Sequence, residues 1–292
     1  MIERRIERIL DRNGFEYCEF SGCFDIAARK TSLMLLKVLG NIDSFQEEQA
    51  RNLRIISREM DASAMIVGST TRREVLHDSI IYQRFDVPAM NANTFESVIE
   101  NDMPVVYRNR GGLFVDINPD ALRSKRLKSC MTQEELASEV GITKKNVYEH
   151  EKSRIRMSYE AALKIEKTIG KGIIERASID STETAEKNRP AGVFEASVSR
   201  NLKRIGFSTE IIRQSPVNII AEDSGFSVIS EADELASRIE KNAPSMKKFS
   251  DISRMPAIAI SKSEVDVEIP SIDEKSLRNM QAGDIKKFVK KW

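Results

Sequence analysis

Met131-Thr-Gln-Glu-Glu-Leu-Ala-Ser-Glu-Val-Gly-Ile-Thr-Lys-Lys-Asn-Val-Tyr-Glu-His-Glu151 lies near the middle of the 292-residue chain and decides how the rest is read. Thr132 followed three residues later by Glu135 is a capping box, so a helix starts at Gln133. It packs through Leu136, Ala137 and Val140. Gly141 follows at once, where a sharp turn needs a residue tolerant of positive φ. Thr143 then caps a further helix over about 144–152. Upstream, Asn118-Pro119-Asp120 is another helix start, with a capping side chain, a proline in the first turn and an acid at the positive end of the dipole. Two short helices joined by a three-residue glycine turn form a helix-turn-helix unit. Val147 faces the core, so Lys144, Lys145, Tyr148 and Glu149 can face outward.

Charge agrees locally. Residues 120–172 hold twelve Lys/Arg and eight Asp/Glu, a difference of +4, against +1 for the whole chain. A lysine at the start of such a helix can bond guanine O6/N7 in the major groove. Arg123, Lys125 and Lys128 can neutralise phosphate.

The stretch over 118–172 resembles the Cro/repressor (XRE-like) family of DNA-binding domains. The matching residues are Ser124-Lys125-Arg126, Thr132-Gln133, Glu135-Leu136-Ala137, Val140-Gly141-Ile142-Thr143, Val147 and Glu151. The resemblance implies that Gln133 and Asn146 touch backbone phosphate and that Lys144, Lys145 and Glu149 read base edges. Thr143, Tyr148 and Lys152 complete the expected DNA-binding set. It also implies a buried ion pair between Arg126 and Glu151. Two positions depart from the family pattern: Ser153 stands where a glycine is common, and His150 where an apolar residue is usual.

Composition bounds the remainder. Charged residues make up 31% of the chain with nearly balanced sign, so any electrostatic footprint is local. At 40% hydrophobic content, the length suffices for two or three domains with real cores. Cys18, Cys23 and Cys130 have no CxxC spacing and no clustering with His77 or His150, so neither a metal site nor a disulfide is expected. No apolar run approaches the length of a membrane span, and Met1-Ile-Glu-Arg-Arg opens an amphipathic helix and not a signal peptide. A cytoplasmic protein is expected, with no membrane partner and no cofactor.

Before the central stretch, Ile2, Ile6, Ile9 and Leu10 share one helix face ended by Gly14. Strands are expected at 15–20, 24–28 and 33–39. A helix over 44–60 and a buried strand at 64–68 make a crossover unit with parallel pairing. Short strands at 80–82 and 87–90, a helix over 94–100 and a hairpin around Arg110-Gly111-Gly112 complete residues 1–117. Residues 173–192, polar from 176 onward, read as a linker.

Residues 193–292 echo the beginning. Leu202-Lys-Arg-Ile-Gly206-Phe207 echoes Leu10-Asp-Arg-Asn-Gly14-Phe15, Val217–Ala221 echoes Phe24–Ala28, and Ala257–Ser261 echoes Ala64–Ser69. A basic amphipathic helix over 285–292, with Phe288, Val289 and Trp292, docks on its own domain. The expected fold class is multidomain α/β plus all-α, with a central Cro/repressor-like domain between two similar α/β domains. Each flank resembles the restriction-endonuclease-like PD-(D/E)xK fold, whose acids hold a divalent metal and whose lysine helps activate water. Asp25 and Lys37 occupy the outer places of that signature and Leu35 the middle one. The second copy has Asn218, Val228 and Ser230. No catalytic residue and no enzyme are therefore expected, and Asp25–Lys37 reads as a strand-to-strand ion pair.

Most of the chain resembles archaeal helix-turn-helix regulators with degenerate nuclease-like flanks, the central motif being the specific part. The resemblance implies a sequence-specific transcriptional regulator that binds double-stranded DNA as a homodimer, with an effector of unspecified chemistry. The alternative is a metal-dependent DNA nuclease targeted by the same helices.

Overall fold

The computed structural model describes residues 2–153, 155–179, 186–263 and 265–290. In the first part, α1 (Glu3–Arg12) buries Ile6, Ile9 and Leu10 and stops at Gly14 in a left-handed conformation. Strands β1 (Glu16–Glu19), β2 (Ile26–Arg29) and β3 (Leu33–Asn41) form an antiparallel meander. Helix α2 (Glu47–Glu59) crosses over to β4 (Ser63–Thr70), which pairs with β3 in parallel, as the pattern of hydrophobic runs requires. Then come β5 (Ile80–Arg84), β6 (Val87–Met90), α3 (Ala92–Ile99), β7 (Val106–Asn109) and β8 (Gly112–Val115).

The central helices are α4 (Pro119–Lys128), α5 (Gln133–Val140) and α6 (Lys144–Lys152), followed by a two-residue strand β9 (Met157–Ser158) and α7 (Tyr159–Ile169). The last part contains α8 (Val193–Arg204), β10 (Ser208–Ile211), β11 (Ile219–Asp223), β12 (Phe226–Ala232), α9 (Ala236–Ser253), β13 (Ala257–Ser261), β14 (Ser271–Asp273), α10 (Glu274–Asn279) and α11 (Ala282–Val289). Helix α11 buries Ile285 and Val289; Trp292 of the same tail lies outside the described residues. No helix among the described residues is long and apolar enough to cross a membrane.

Two sheets result. The nine-stranded sheet runs β1-β2-β3-β4-β6-β5-β7-β8-β9, and the five-stranded sheet β10-β11-β12-β13-β14. The larger sheet does not end at residue 117. Phe114 and Val115 of β8 pair with Ser158 and Met157 of β9, inside the stretch expected to be a separate all-helical unit. Val106, Val115 and Ile117 share one core with Leu122, Leu136, Val147 and Ile165. The expected boundary therefore cuts through a common core, because β7 and β8 supply the apolar floor on which the short helices rest. The expected linker differs likewise. Ile173 and Ala177 are buried and the Ala177 amide donates to the Pro104 carbonyl, so 173–179 is docked chain; residues 180–185 lie outside the described residues.

The two sheets correspond in register. The Val38 amide donates to Asp25 Oδ2 at 2.7 Å, and the Ala232 amide donates to Asn218 Oδ1 at 2.9 Å. The Ser57 hydroxyl donates to the Ala62 carbonyl and the Ser250 hydroxyl to the Met255 carbonyl. Asp61 and Arg254 both take a positive φ at the same turn. The register corrects one assignment by a residue. Residues 30–32 separate the pair Arg29↔Leu33, whereas residues 223–226 separate Glu222↔Ser227. The longer hairpin puts Glu231, not Ser230, at the place of Lys37, and Ile229, not Val228, at the place of Leu35. A one-residue slip sends each side chain to the opposite face.

Glu231 is half-buried. Burial first, then the charges of Asp233 and Glu195, push its carboxyl up to about 8, with Asn242 and Arg213 opposing. A carboxyl raised on folding contributes stability at pH below its unfolded value that is lost as pH rises through about 8. Glu231→Gln should therefore raise the melting temperature relative to the parent at pH 8–9, with the gain vanishing near pH 4. A melting series over that range reads it, and an equal shift at every pH would show that the carboxyl does not titrate there.

Candidate functional site

The central helices are fixed by local chemistry. Asn118 Oδ1 accepts from the Ala121 amide at 2.9 Å at the start of α4. In α5 both capping-box bonds are present, Thr132 N to Glu135 Oε2 at 2.7 Å and Glu135 N to Thr132 Oγ1 at 3.1 Å. Those bonds from Thr132 hold the Glu135 carboxyl below its usual range. Gly141 closes α5 in the left-handed region at φ +75°. Thr143 caps α6 by accepting from the Asn146 amide at 3.1 Å. Leu136, Ala137, Val140 and Val147 are buried between the helices.

The outward face of α6 carries Lys144, Lys145, Asn146, Tyr148 and Lys152, all exposed, and Glu149, half-exposed. Lys145 has no ion-pair partner among the described residues. Lys144 Nζ meets Glu134 Oε2 at 3.2 Å, an exposed pair of small energetic weight. Lys152 Nζ stands 4.7 Å from the centroid of the Tyr148 ring, which ties those two side chains together. The Asn146 side chain is bonded to the Thr143 hydroxyl.

One expected contact forms, and another expected donor is taken up by it. Arg126 and Glu151 form a two-bond pair at 2.6 and 3.1 Å, and Arg126 also donates to the Met131 carbonyl. Gln133 Nε2 joins them, donating to Glu151 Oε2 at 2.7 Å. The amide expected on phosphate is thus spent within the chain, because a buried carboxylate takes up the nearest donor. Burial pushes the Glu151 carboxyl up, but the Arg126 and Gln133 bonds outweigh it and hold the group below its usual range. His150 is buried, its Nδ1 has no hydrogen-bond partner among the described residues, and burial lowers its pKa.

A second group of polar residues lies on the large sheet. Lys37 Nζ donates to Asp25 Oδ1 and to the Gly22 carbonyl, each at 2.8 Å. The pair borders a cavity of about 430 Å³ also lined by Glu7 and Glu19. Burial, then the hydrogen bond and charge of Glu19, raise the Glu7 carboxyl. Sequence reasoning missed both glutamates: they sit on α1 and β1, and only the folding of those elements against each other brings them beside Asp25. Leu35, on the same face of β3 as Lys37, is fully buried in the core and offers no ligand atom.

Residues 2–104 match the model of the PD-(D/E)XK superfamily domain. Over the whole chain, proteins named "Putative HTH-type transcriptional regulatory protein" are similar. One from Thermococcus gammatolerans is 30% identical over 96% of this chain and 92% of its own length. The chain belongs to that regulator family. A Pyrococcus furiosus relative is 32% identical over 78% of this chain and 76% of its own, and a Methanococcus vannielii relative 30% over 91% and 86%. No solved structure matches.

These findings overturn one expectation. Asp25, Leu35 and Lys37 read position by position suggest a chain without enzymatic activity. The match over residues 2–104 is to a nuclease fold, and it points to enzymatic activity. The divalent cation implied by that fold finds no ready cage here. Asp25 commits one oxygen to Lys37 and the other to the Val38 amide, and Leu35 offers no donor. No group of three or more His, Cys, Asp or Glu among the described residues could hold a metal ion. The residues as arranged do not fit the ion, and no chemical step is derived through one.

The Arg126–Glu151 pair yields a stability prediction. Arg126→Ala leaves Glu151 buried with one donor and should cost about 3–5 kcal/mol. Lys144→Ala, which breaks only the exposed pair, should change stability by less than about 1 kcal/mol. Denaturant unfolding of the two variants against the parent measures the contrast; equal losses would refute the assignment of Arg126 to the frame.

Proposed function

We propose that the protein is a cytoplasmic, sequence-specific DNA-binding transcriptional regulator whose α6 enters the major groove of double-stranded DNA. The observation that carries this reading is the outward face of α6. Lys144, Lys145, Tyr148 and Glu149 stand on one side of a helix that starts directly after a glycine turn. Family membership supports regulation as the role, and the +4 balance over 120–172 supports a nucleic-acid partner. In this reading Lys144, Lys145 and Glu149 reach base edges. Asn146, Thr143 and Lys152 fix register on the backbone. Gln133 acts through its backbone amide at the first turn of α5, since its side chain is held by Glu151. The assignment of 118–172 to a Cro/repressor-like reader between two related α/β units is part of the same proposal.

Lys145→Ala should cost about 1–3 kcal/mol on the preferred site and relax the choice of base there. Lys128→Ala should weaken binding to every duplex alike and flatten its salt dependence. Titration of both variants on a selected site and on random duplex, at two salt concentrations, separates the roles. Uniform loss for Lys145→Ala would move it to the phosphate class.

A second reading, DNA processing by residues 2–104 directed by the same helices, is favoured by one observation: Asp25 and Lys37 meet at the edge of an open cavity. Incubation of supercoiled DNA with the full chain and Mg2+ or Mn2+ tests it. Nicking that disappears in Lys37→Ala supports the reading; intact DNA under both ions, with the parent fully folded, removes it.

A further inference from the structure

The two α/β halves do not merely correspond; they pack on each other, and the packing has a symmetry. If two similar units meet about a two-fold axis, a contact between residue i of one and j of the other must recur between the equivalents of each. The shared hydrogen bonds fix the equivalences. Phe20 and Ile212 both donate to the carbonyl of the residue just before the following strand, Asp25 at 2.8 Å and Asn218 at 2.9 Å. Two residues beyond each stand Gly22 and Gln214. These equivalents touch. The Cys23 amide donates to the Gln214 carbonyl at 2.6 Å, and a Cβ on Gly22 would lie 2.0 Å from that oxygen. Gly22 also has φ +142°, so the position requires glycine twice over.

Away from that point two contacts have counterparts in the other half, whereas Arg29, which donates to the Ile252 and Ser253 carbonyls, has Glu222 at its equivalent place. Phe249 of α9 packs edge-on against Phe20 and tilted against Phe24, at 5.6 and 5.4 Å between ring centroids. Its equivalent by the Ser57 and Ser250 match is Ile56 of α2. Ile56 belongs to the same core as Ile212 and Val217, the equivalents of Phe20 and Phe24. Arg58 lies 3.8 Å from Glu210. The equivalents of these two are Asp251 and Cys18, and Asp251 is near enough that, with burial, it raises the Cys18 thiol against the pull of Lys248. Helix α9 thus lies against β1 and β2, and α2 meets β10 at Arg58 and Glu210.

We propose that the two α/β halves form an internal pseudo-dimer about a local two-fold at Gly22 and Gln214, and that one chain therefore works alone, with one reader on one unpaired half-site of double-stranded DNA. The half-site part rests on the DNA-binding reading above. An isologous surface complements itself, so a surface already filled by the second half leaves no flank for a second chain. The homodimer that the resemblance implies is replaced by a pairing inside the chain. Among the described residues the first half is joined to the reader through the pairing of β8 with β9, and the pair presents a single α6.

The test uses the full chain. Light scattering at micromolar concentration should give one chain's mass, 33.1 kDa. Selection from random duplex should return one motif without two-fold symmetry, bound one chain to one site. A stable two-chain mass, or a two-fold motif holding two chains, overturns the proposal. A one-chain mass with no duplex bound at low salt sinks the DNA-binding reading and the half-site with it, while the internal pairing stands on its own measurement. That measurement is native-state amide exchange. Helix α9 and strands β1–β2 should open together as one unit, and Phe249→Ala should raise exchange in both. Exchange of α9 independent of β1 and β2 refutes the pseudo-dimer without depending on a variant that folds.

Discussion

The structure depends on one shared core. Phe20 and Phe24 from the first half and Phe249 from α9 form an aromatic cluster, and around it Leu53, Ile56, Ile212, Val217, Ile229 and Met246 are buried in a single body. Neither half can cover these side chains alone. Strands β1 and β2 present an apolar face that α9 closes, and the other end of the same layer is closed by α2. Polar groups at the rim are satisfied across the junction: Arg29 donates to the Ile252 and Ser253 carbonyls at 2.6 and 2.8 Å, and Asn52 accepts from the Arg213 amide at 2.9 Å. The Arg29 bonds take up carbonyls at the last turn of α9 that no intrahelical donor can reach. Separating the halves would expose both the aromatic faces and these backbone groups, so the junction is part of the fold and not a hinge between finished domains.

The reader inherits its placement from this body. Because β9 extends the large sheet, α7 packs on β8, and Val115 and Ile117 share one core with α4 and α5, the helices rest on strands that are themselves paired back to β5. Within the reader, Arg126, Gln133 and Glu151 tie the first turn of α5 to the ends of α4 and α6. Rigid attachment has a consequence for recognition. A reader fixed to a large body meets DNA with its approach angle already set, and less orientational freedom has to be lost on binding. Under the proposed function, the exposed faces of α6 and α4 are then the parts left to vary with the target.

How much of this the sequence shows depends on the range of the interaction. The caps at Asn118, Thr132 and Thr143 and the turn at Gly141 are decided within four residues, and each is where the local pattern puts it. The strands and the α2 crossover are likewise legible from short apolar runs. Continuity of β8 with β9 is not, since a two-residue strand has no periodicity to read. The bond that holds the Gln133 side chain was not legible, because its partner Glu151 lies eighteen positions away on another helix. The clustering of Glu7 and Glu19 with Asp25 has the same origin. The expectation of a chain without enzymatic activity failed for a different reason: three positions were weighed, whereas the superfamily likeness is spread over residues 2–104.

The slip between Ser230 and Glu231 carries a last point about the two halves. What the scaffold requires at positions 25 and 218 is an acceptor for the amide at the end of the next strand, and an aspartate or an asparagine supplies it equally well. The charge is therefore free to differ while the fold is kept. In the first half the neighbour across that strand is Lys37, and an ion pair forms at the cavity edge. In the second half the neighbour is Glu231, which has no carboxylate at 218 to repel it and lies among Glu195, Arg213 and Asn242 instead. Had Asn218 been aspartate, two acids would share a half-buried site, and one of them would have to stay protonated. The two halves can thus share a backbone and a pairing surface while carrying opposite chemistry at equivalent places. That division is what lets one half keep the ionisable pair of a nuclease fold while the other serves as its packing partner.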